Sequence, residues 1–180
     1  MTATKAAPSA RCAARNMAEL RYLTGYPPPL IEQVAALRDQ GRLGDWLQQR
    51  YPDGAHDIQS DRALYDYAQA LKQRGLKNTP PLAKVLYDSQ QHPVRGTLGT
   101  HTRAARVQGG KLKTRHEIRI GALFRDAPEP MLRMIVAHEL AHLKESEHNK
   151  AFYQLCEHLA PGYAQLEFDA RVWLIWRESA

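Results

Sequence analysis

Apolar positions follow a helical period through most of the first half of the chain. They recur every three or four residues in two stretches, Leu30, Val34, Ala35 and Leu37, then Leu64, Tyr65, Ala68 and Leu71. Pro80-Pro81 is interpreted as the start of a third short helix through Leu82, Val85 and Leu86. We therefore predict a helical N-terminal part over residues 18–92, preceded by a flexible tail over residues 1–17.

The period changes to two between residues 111 and 120, where uncharged and charged side chains alternate. This alternation predicts a half-buried strand. The preceding Gly109-Gly110 predicts a two-residue hairpin turn. Folding the chain back about this turn gives two cross-strand pairs, Val107 with Leu112 and Arg106 with Lys113.

A third pattern follows Pro128 and Pro130, where residues from Met131 to Leu143 are apolar on nearly every side of a predicted helix. A helix of this kind is buried, and a polar side chain within it needs a partner or a function. Together, the patterns predict an α+β fold in which a small antiparallel sheet packs on this helix. We assign this arrangement to a domain over residues 93–180.

The formal net charge of +6 is concentrated in residues 95–125, which hold eight basic groups and one acid, Glu117. Four of these basic groups share the outer face of the predicted hairpin: Arg106, Lys113, Arg115 and Arg119. We expect this face to contact an acidic substrate, phosphate groups or, weakly, a nucleic acid. A charged edge that discourages aggregation is the alternative interpretation.

The two cysteines, Cys12 and Cys156, form no CxxC pair, so a disulfide framework is not expected. This pattern favours the reducing cytoplasm and leaves any metal site to histidines and carboxylates. The longest apolar run, Val172 to Trp176, is too short to span a bilayer, so we expect no membrane partner. The sequence gives no indication of the oligomeric state.

The predicted buried helix contains an HExxH motif, His138-Glu139-Leu140-Ala141-His142. Residues four apart lie on one helix face, so both imidazoles can reach the same zinc ion. Glu139 is rotated about 100° from His138, which places it beside the ion as a general base. The sequence therefore predicts a zincin-like hydrolase with one Zn²⁺ ion.

Spacing leaves three candidates for the third protein ligand, which are His148, Glu145 and Glu147. His148 can contribute only if the helix ends between Leu143 and Glu147, because an unbroken helix would carry it about 9 Å past His142. Asn149 is a plausible N-cap for a following helix, which would place the break beside His148. Of the other histidines, His56 and His92 are expected to be solvated, and none is expected to be a ligand.

The motif and its surroundings resemble the YgjP-like metallopeptidase family. The resemblance covers about residues 95–168 and includes His148-Asn149-Lys150-Ala151-Phe152, then Pro161 and Tyr163. It implies that His138, His142 and His148 bind the metal and that Glu139 is catalytic. The family's Trp-Gly-Ser-Cys stretch is absent, and Lys113-Thr114-Arg115-His116 stands near that point.

Three function classes follow, of which a zinc metallopeptidase is the first. The second is a nucleoside triphosphate pyrophosphatase or phosphohydrolase using the same site, because the resemblance implies a link to nucleotide hydrolysis and phosphates bind Arg and Lys. The third is a DNA-associated protease related in plan to the SprT-like proteases, or a nucleic-acid-binding module. The expected partner is accordingly a peptide or a nucleotide substrate.

Overall fold

The computed structural model describes residues 20–90, 99–108 and 111–179, with side chains at residues 20–90 and 116–179. In chain order its elements are a 3-10 turn Leu20–Leu23, α1 Pro28–Asp39, α2 Leu43–Arg50, α3 Asp61–Gly75, β1 Leu82–Asp88, β2 Gly99–Gln108, β3 Lys111–Gly121, a second 3-10 turn Ala122–Asp126, α4 Glu129–Ala141, α5 Lys150–Leu159 and α6 Tyr163–Ser179. The predicted α+β class is confirmed. The tail over residues 1–17, the Gly109-Gly110 turn and His92 lie outside the described residues.

Contacts divide the described chain into two compact units, residues 20–50 with 170–179, and residues 51–169. This division differs from the boundary predicted between residues 92 and 93. The reason is that α3 packs on β1 and β1 pairs with β3, so the segment from residue 51 onwards belongs with the sheet. Among the helices in the described ranges, none combines the length and hydropathy needed to cross a bilayer.

The first unit is held together by contacts between its N-terminal turn and the second half of α6. Arg21 and the hydroxyl of Tyr22 both bond the carboxylate of Glu178, at 2.7 and 2.5 Å. The guanidinium of Arg171 donates to the carbonyl oxygen of Tyr22 at 3.0 Å. Trp173, on this half of α6, is 3% exposed, so its side chain is part of the packing.

The second unit contains a three-stranded sheet of order β1-β3-β2. The antiparallel pairing of β2 with β3 has the predicted register, with Val107 opposite Leu112 and Arg106 opposite Lys113. Ile118 and Ile120 on β3 are fully buried, as the alternating pattern predicts. Helix α4 packs against both β2 and β3, so the sheet supports the helix that carries the HExxH motif.

The segment after Pro80-Pro81 was predicted as a helix, and this prediction is wrong. Residues Leu82–Asp88 form β1, which runs parallel to β3, so the sheet is mixed rather than wholly antiparallel. A short apolar run is compatible with a helix or a strand. Here the segment forms a strand because it pairs with the edge of β3. The consequence is that the helical N-terminal part does not extend to residue 92.

His56 is also placed differently from the expectation that it is solvated. Its ring is 8% exposed, and Nε2 lies 2.8 Å from the carbonyl oxygen of Phe124. Its Nδ1 accepts from the backbone N–H of Ile58 at 3.0 Å. A carbonyl oxygen can only accept, so Nε2 carries the proton, and the ring is a hydrogen-bonded core histidine.

Candidate metal centre

Helix α4 presents His138 and His142 on one face while its other faces are buried. The helix begins after Pro128 and has Pro130 in its first turn, where proline is tolerated, and its apolar side chains are almost fully enclosed. Both histidines are only half-buried, so their rings reach the surface of the helix where the apolar packing stops. The four-residue spacing places them one above the other, as the motif predicts.

The helix ends at Ala141, and His142 is its C-cap residue. The chain then turns through residues 143–148, with the N–H groups of Lys144 and Glu145 both bonding the carbonyl oxygen of Ala141 at 3.0 Å. Asn149 starts α5, where its side-chain oxygen accepts from the N–H of Phe152 at 2.9 Å, which confirms the predicted N-cap. Its amide also donates to the carboxylate of Glu145 at 3.2 Å.

This turn returns His148 to the two helical histidines. Its Nε2 atom lies 3.2 Å from Nε2 of His138 and 3.2 Å from Nε2 of His142. Nitrogen ligands placed at about 2.0–2.1 Å from a tetrahedral zinc ion lie about 3.3 Å from one another. The donor atoms therefore fit a single metal ion, and this trio is the group of potential ligands found among the described residues.

The far nitrogens of two of the rings have partners that fix how the rings are turned. Nδ1 of His142 lies 3.0 Å from the carbonyl oxygen of Glu145. Because a carbonyl only accepts, this nitrogen carries the proton, and Nε2 of the neutral ring keeps its lone pair for a metal ion. Nδ1 of His138 lies 2.7 Å from the hydroxyl of Tyr163.

Tyr163 owes its position to the turn between α5 and α6. Gly162 adopts a φ of 78°, a left-handed conformation that suits glycine. The carboxylate of Glu157 then accepts from the N–H groups of Gly162 and Tyr163, at 2.7 and 3.0 Å. These bonds hold the start of α6 so that the phenol hydroxyl reaches His138.

Phe152 forms the floor beneath the three imidazoles. Its side chain is fully buried, and its ring centroid lies 4.9, 4.7 and 4.6 Å from those of His138, His142 and His148. One aromatic ring thus contacts all three candidate ligands. We infer that it limits their movement and excludes water from the protein side of the site.

Glu139 lies within the packed side of α4 and is 2% exposed. Burial raises the pKa of its carboxyl group to about 8, because removal from water disfavours the charged form. A positive ion held by the neighbouring histidines would favour the ionised form and oppose this shift. The proton affinity of this carboxyl group therefore depends both on its burial and on the charge held by the neighbouring histidines.

The remaining residues with predicted site roles lie elsewhere or outside the described side chains. Glu145 and Glu147 do not join the histidine cluster. Arg119 forms ion pairs with Asp88 at 3.1 Å and Glu117 at 2.6 Å. The side chains of the other three basic residues of the hairpin lie outside the description: Arg106, Lys113 and Arg115.

Replacing Tyr163 by phenylalanine removes the hydroxyl that bonds His138 and leaves the phenyl ring in place. We expect metal affinity to fall by about 10- to 100-fold, the usual effect of losing an outer partner of a ligand histidine. Competition with a chelating dye measures this change. Tyr87→Phe is a matched control, since it removes a hydroxyl that bonds the carbonyl oxygen of Ile58 at 2.7 Å. Equal metal affinity in both variants would contradict the positioning role.

Comparison with known proteins identifies the family of this chain. The family model described as "YgjP-like, metallopeptidase domain" matches residues 56–169, which lie within the second compact unit. A UTP pyrophosphatase of Escherichia coli (strain K12) is 59% identical over 158 residues, covering 88% of this chain and 94% of the relative. No solved structure matches. The resemblance noted from the motif is confirmed: the chain belongs to the YgjP-like family and is a metal-dependent hydrolase.

Proposed function

We propose that this protein hydrolyses a phosphoanhydride bond of a nucleoside triphosphate, with a zinc ion held by His138, His142 and His148 and with Glu139 as general base. The observation that carries the hydrolytic part is the convergence of three Nε2 atoms at a helix in which the buried Glu139 directly follows His138. The nucleotide part is supported by the E. coli relative named UTP pyrophosphatase, because a chain 59% identical to it shares most of its side chains.

The residues of the site divide the work of such a reaction between binding and proton transfer. A zinc ion held by the histidines would supply Lewis acidity, polarising the phosphoryl group and making a water molecule easier to deprotonate. Glu139 would accept a proton from the attacking water and return it to the leaving pyrophosphate. Tyr163 and the carbonyl oxygen of Glu145 would keep two of the rings turned toward the substrate.

With a nucleoside triphosphate, attack at the first phosphate gives a nucleoside monophosphate and pyrophosphate. The bond between the first and second phosphates breaks. Because water attacks the first phosphate, its oxygen is incorporated into the monophosphate. Such a reaction needs no redox partner, so water and the substrate balance it completely. The basic face of the hairpin remains a prediction for binding the charged phosphates.

A panel of substrates tests this proposal directly. Purified metal-loaded protein is given UTP, CTP, ATP, GTP, inorganic triphosphate and casein, and products are separated by ion exchange. We expect nucleoside monophosphate and pyrophosphate in equal amounts, with no cleavage of casein. Release of nucleoside diphosphate and phosphate would show that the bond between the second and third phosphates is cleaved instead. Cleavage of casein without nucleotide turnover would overturn the proposal.

A metallopeptidase is the second candidate, and the position of β2 favours it. Among the described strands β2 pairs with β3 alone, and it also contacts α4, which carries the motif. An extended peptide could add to this edge as a further strand and present its bond to the site. The casein arm of the panel separates this activity from nucleotide hydrolysis.

A further inference from the structure

Tyr153 is the large apolar side chain that stands exposed on the described surface, with 47% of its area accessible. It lies in the first turn and a half of α5, five residues after His148 and next to the buried Phe152. Single exposed aromatic residues are common on protein surfaces and need no explanation by themselves. The position of this ring beside the candidate metal centre is what sets it apart.

The Tyr153 ring lies next to His148, one of the three clustered histidines. Its centroid lies 6.4 Å from the ring of His148, with the planes tilted by 36°. It also lies 6.2 Å from the ring of Tyr163, whose hydroxyl bonds His138, and 5.4 Å from Phe152 in an edge-to-face arrangement. The ring is thus held by its neighbours while nearly half of its area faces solvent.

We propose that Tyr153 is a stacking surface for the base of the nucleotide substrate, an inference that rests on the proposed nucleotide hydrolysis. When the phosphates lie at the three histidines, the ribose can bridge the separation between His148 and the Tyr153 ring. The base then stacks on the accessible side of the phenol. Base–aromatic stacking is favourable for every base, because each presents a π-face.

Two consequences distinguish this role from recognition by hydrogen bonds. Losing the ring lowers kcat/KM for all nucleoside triphosphates by a similar factor, so the preference among bases does not change. The loss is specific to substrates that carry a base, because inorganic triphosphate has nothing to stack. The informative quantity is therefore the ratio of kcat/KM for UTP to kcat/KM for inorganic triphosphate.

The experiment compares Tyr153→Leu with Tyr153→Phe in the metal-loaded, full-length protein. Leucine is apolar but has no π-face, whereas phenylalanine keeps the ring and loses only the hydroxyl. We expect the ratio to fall by at least about fivefold in Tyr153→Leu and to stay within about twofold of wild type in Tyr153→Phe. The dissociation constants of uridine monophosphate and ribose 5-phosphate, measured by calorimetry, should show the same contrast without turnover.

Each outcome distinguishes this inference from the function on which it rests. An unchanged ratio in Tyr153→Leu, together with nucleotide turnover by the wild type, overturns the stacking role and leaves the proposed function standing. Absence of nucleotide turnover by the metal-loaded wild type overturns both. A fall of the ratio in both variants assigns the effect to the hydroxyl and also overturns stacking.

Discussion

Replacement of Glu139 by glutamine will lower kcat by about 100- to 10,000-fold, the range that general acid–base catalysis contributes. Glutamine has nearly the same shape as glutamate and can occupy the same buried position. Its amide cannot accept a proton from water at neutral pH, so the proton transfer is lost. The measurement is the initial rate of hydrolysis at saturating UTP, with the product identified as uridine monophosphate.

Metal content should not change in this variant, because Glu139 is not one of the three residues whose donor atoms converge. Atomic spectroscopy of the purified protein gives the number of ions per chain. Glu147→Gln is a matched control, since it makes the same chemical change at an exposed position on the turn after α4. Turnover at the wild-type level in Glu139→Gln would remove Glu139 from the mechanism, and normal turnover in Glu147→Gln would exclude Glu147 from an essential role.

Features formed by residues close together in the sequence could be predicted, because the geometry of a helix or a hairpin fixes their relative positions. His138 and His142 occupy one helix face through their four-residue spacing alone. The hairpin register followed from two glycines flanked by alternating side chains, which leaves one pairing that buries Ile118 and Ile120 on the same side. Neither inference required knowledge of a distant segment.

The parts that depend on distant contacts were missed or left open. Strand β1 is defined by parallel pairing with β3, and the sequence of residues 82–88 has no signal for that partner. Tyr163 was noted within the family motif, yet its bond to His138 joins residues 25 apart in the chain and has no periodicity. The position of the exposed Tyr153 ring beside the histidines could not be predicted, because it depends on how α5 packs after the turn.

The end of α4 is an intermediate case. No glycine or proline forces the chain to leave the helix after Ala141, and spacing therefore left three candidates for the third ligand. The structure shows that Asn149 caps α5 and bonds Glu145, whose carbonyl oxygen in turn holds His142. Several weak local bonds thus produce the turn that brings His148 to the other two rings.

Removal of the His148 ring will weaken metal binding by more than about 100-fold, since a direct ligand contributes more than the outer partners that orient it. In His148→Ala the two helical imidazoles remain, but the third nitrogen at 3.2 Å from each of them is lost. If the affinity falls a hundredfold, saturating metal raises the free energy of unfolding of the variant by about 2.7 kcal/mol less than it does for the wild type. Calorimetric titration of the chelator-treated protein with zinc measures the affinity, and thermal unfolding with and without zinc measures the linked stability.

Loss of affinity in this variant can be separated from loss of folding, because His148 is exposed and Asn149 still caps α5. Without metal, His148→Ala should therefore unfold at the same temperature as metal-free wild type. His158→Ala is the matched control, since it removes another exposed imidazole from the same region of the chain, at the far end of α5. We expect this control to bind zinc as the wild type does. If His148→Ala retains wild-type zinc affinity, the third ligand is a different group, and the zinc centre proposed for this protein must be assigned again.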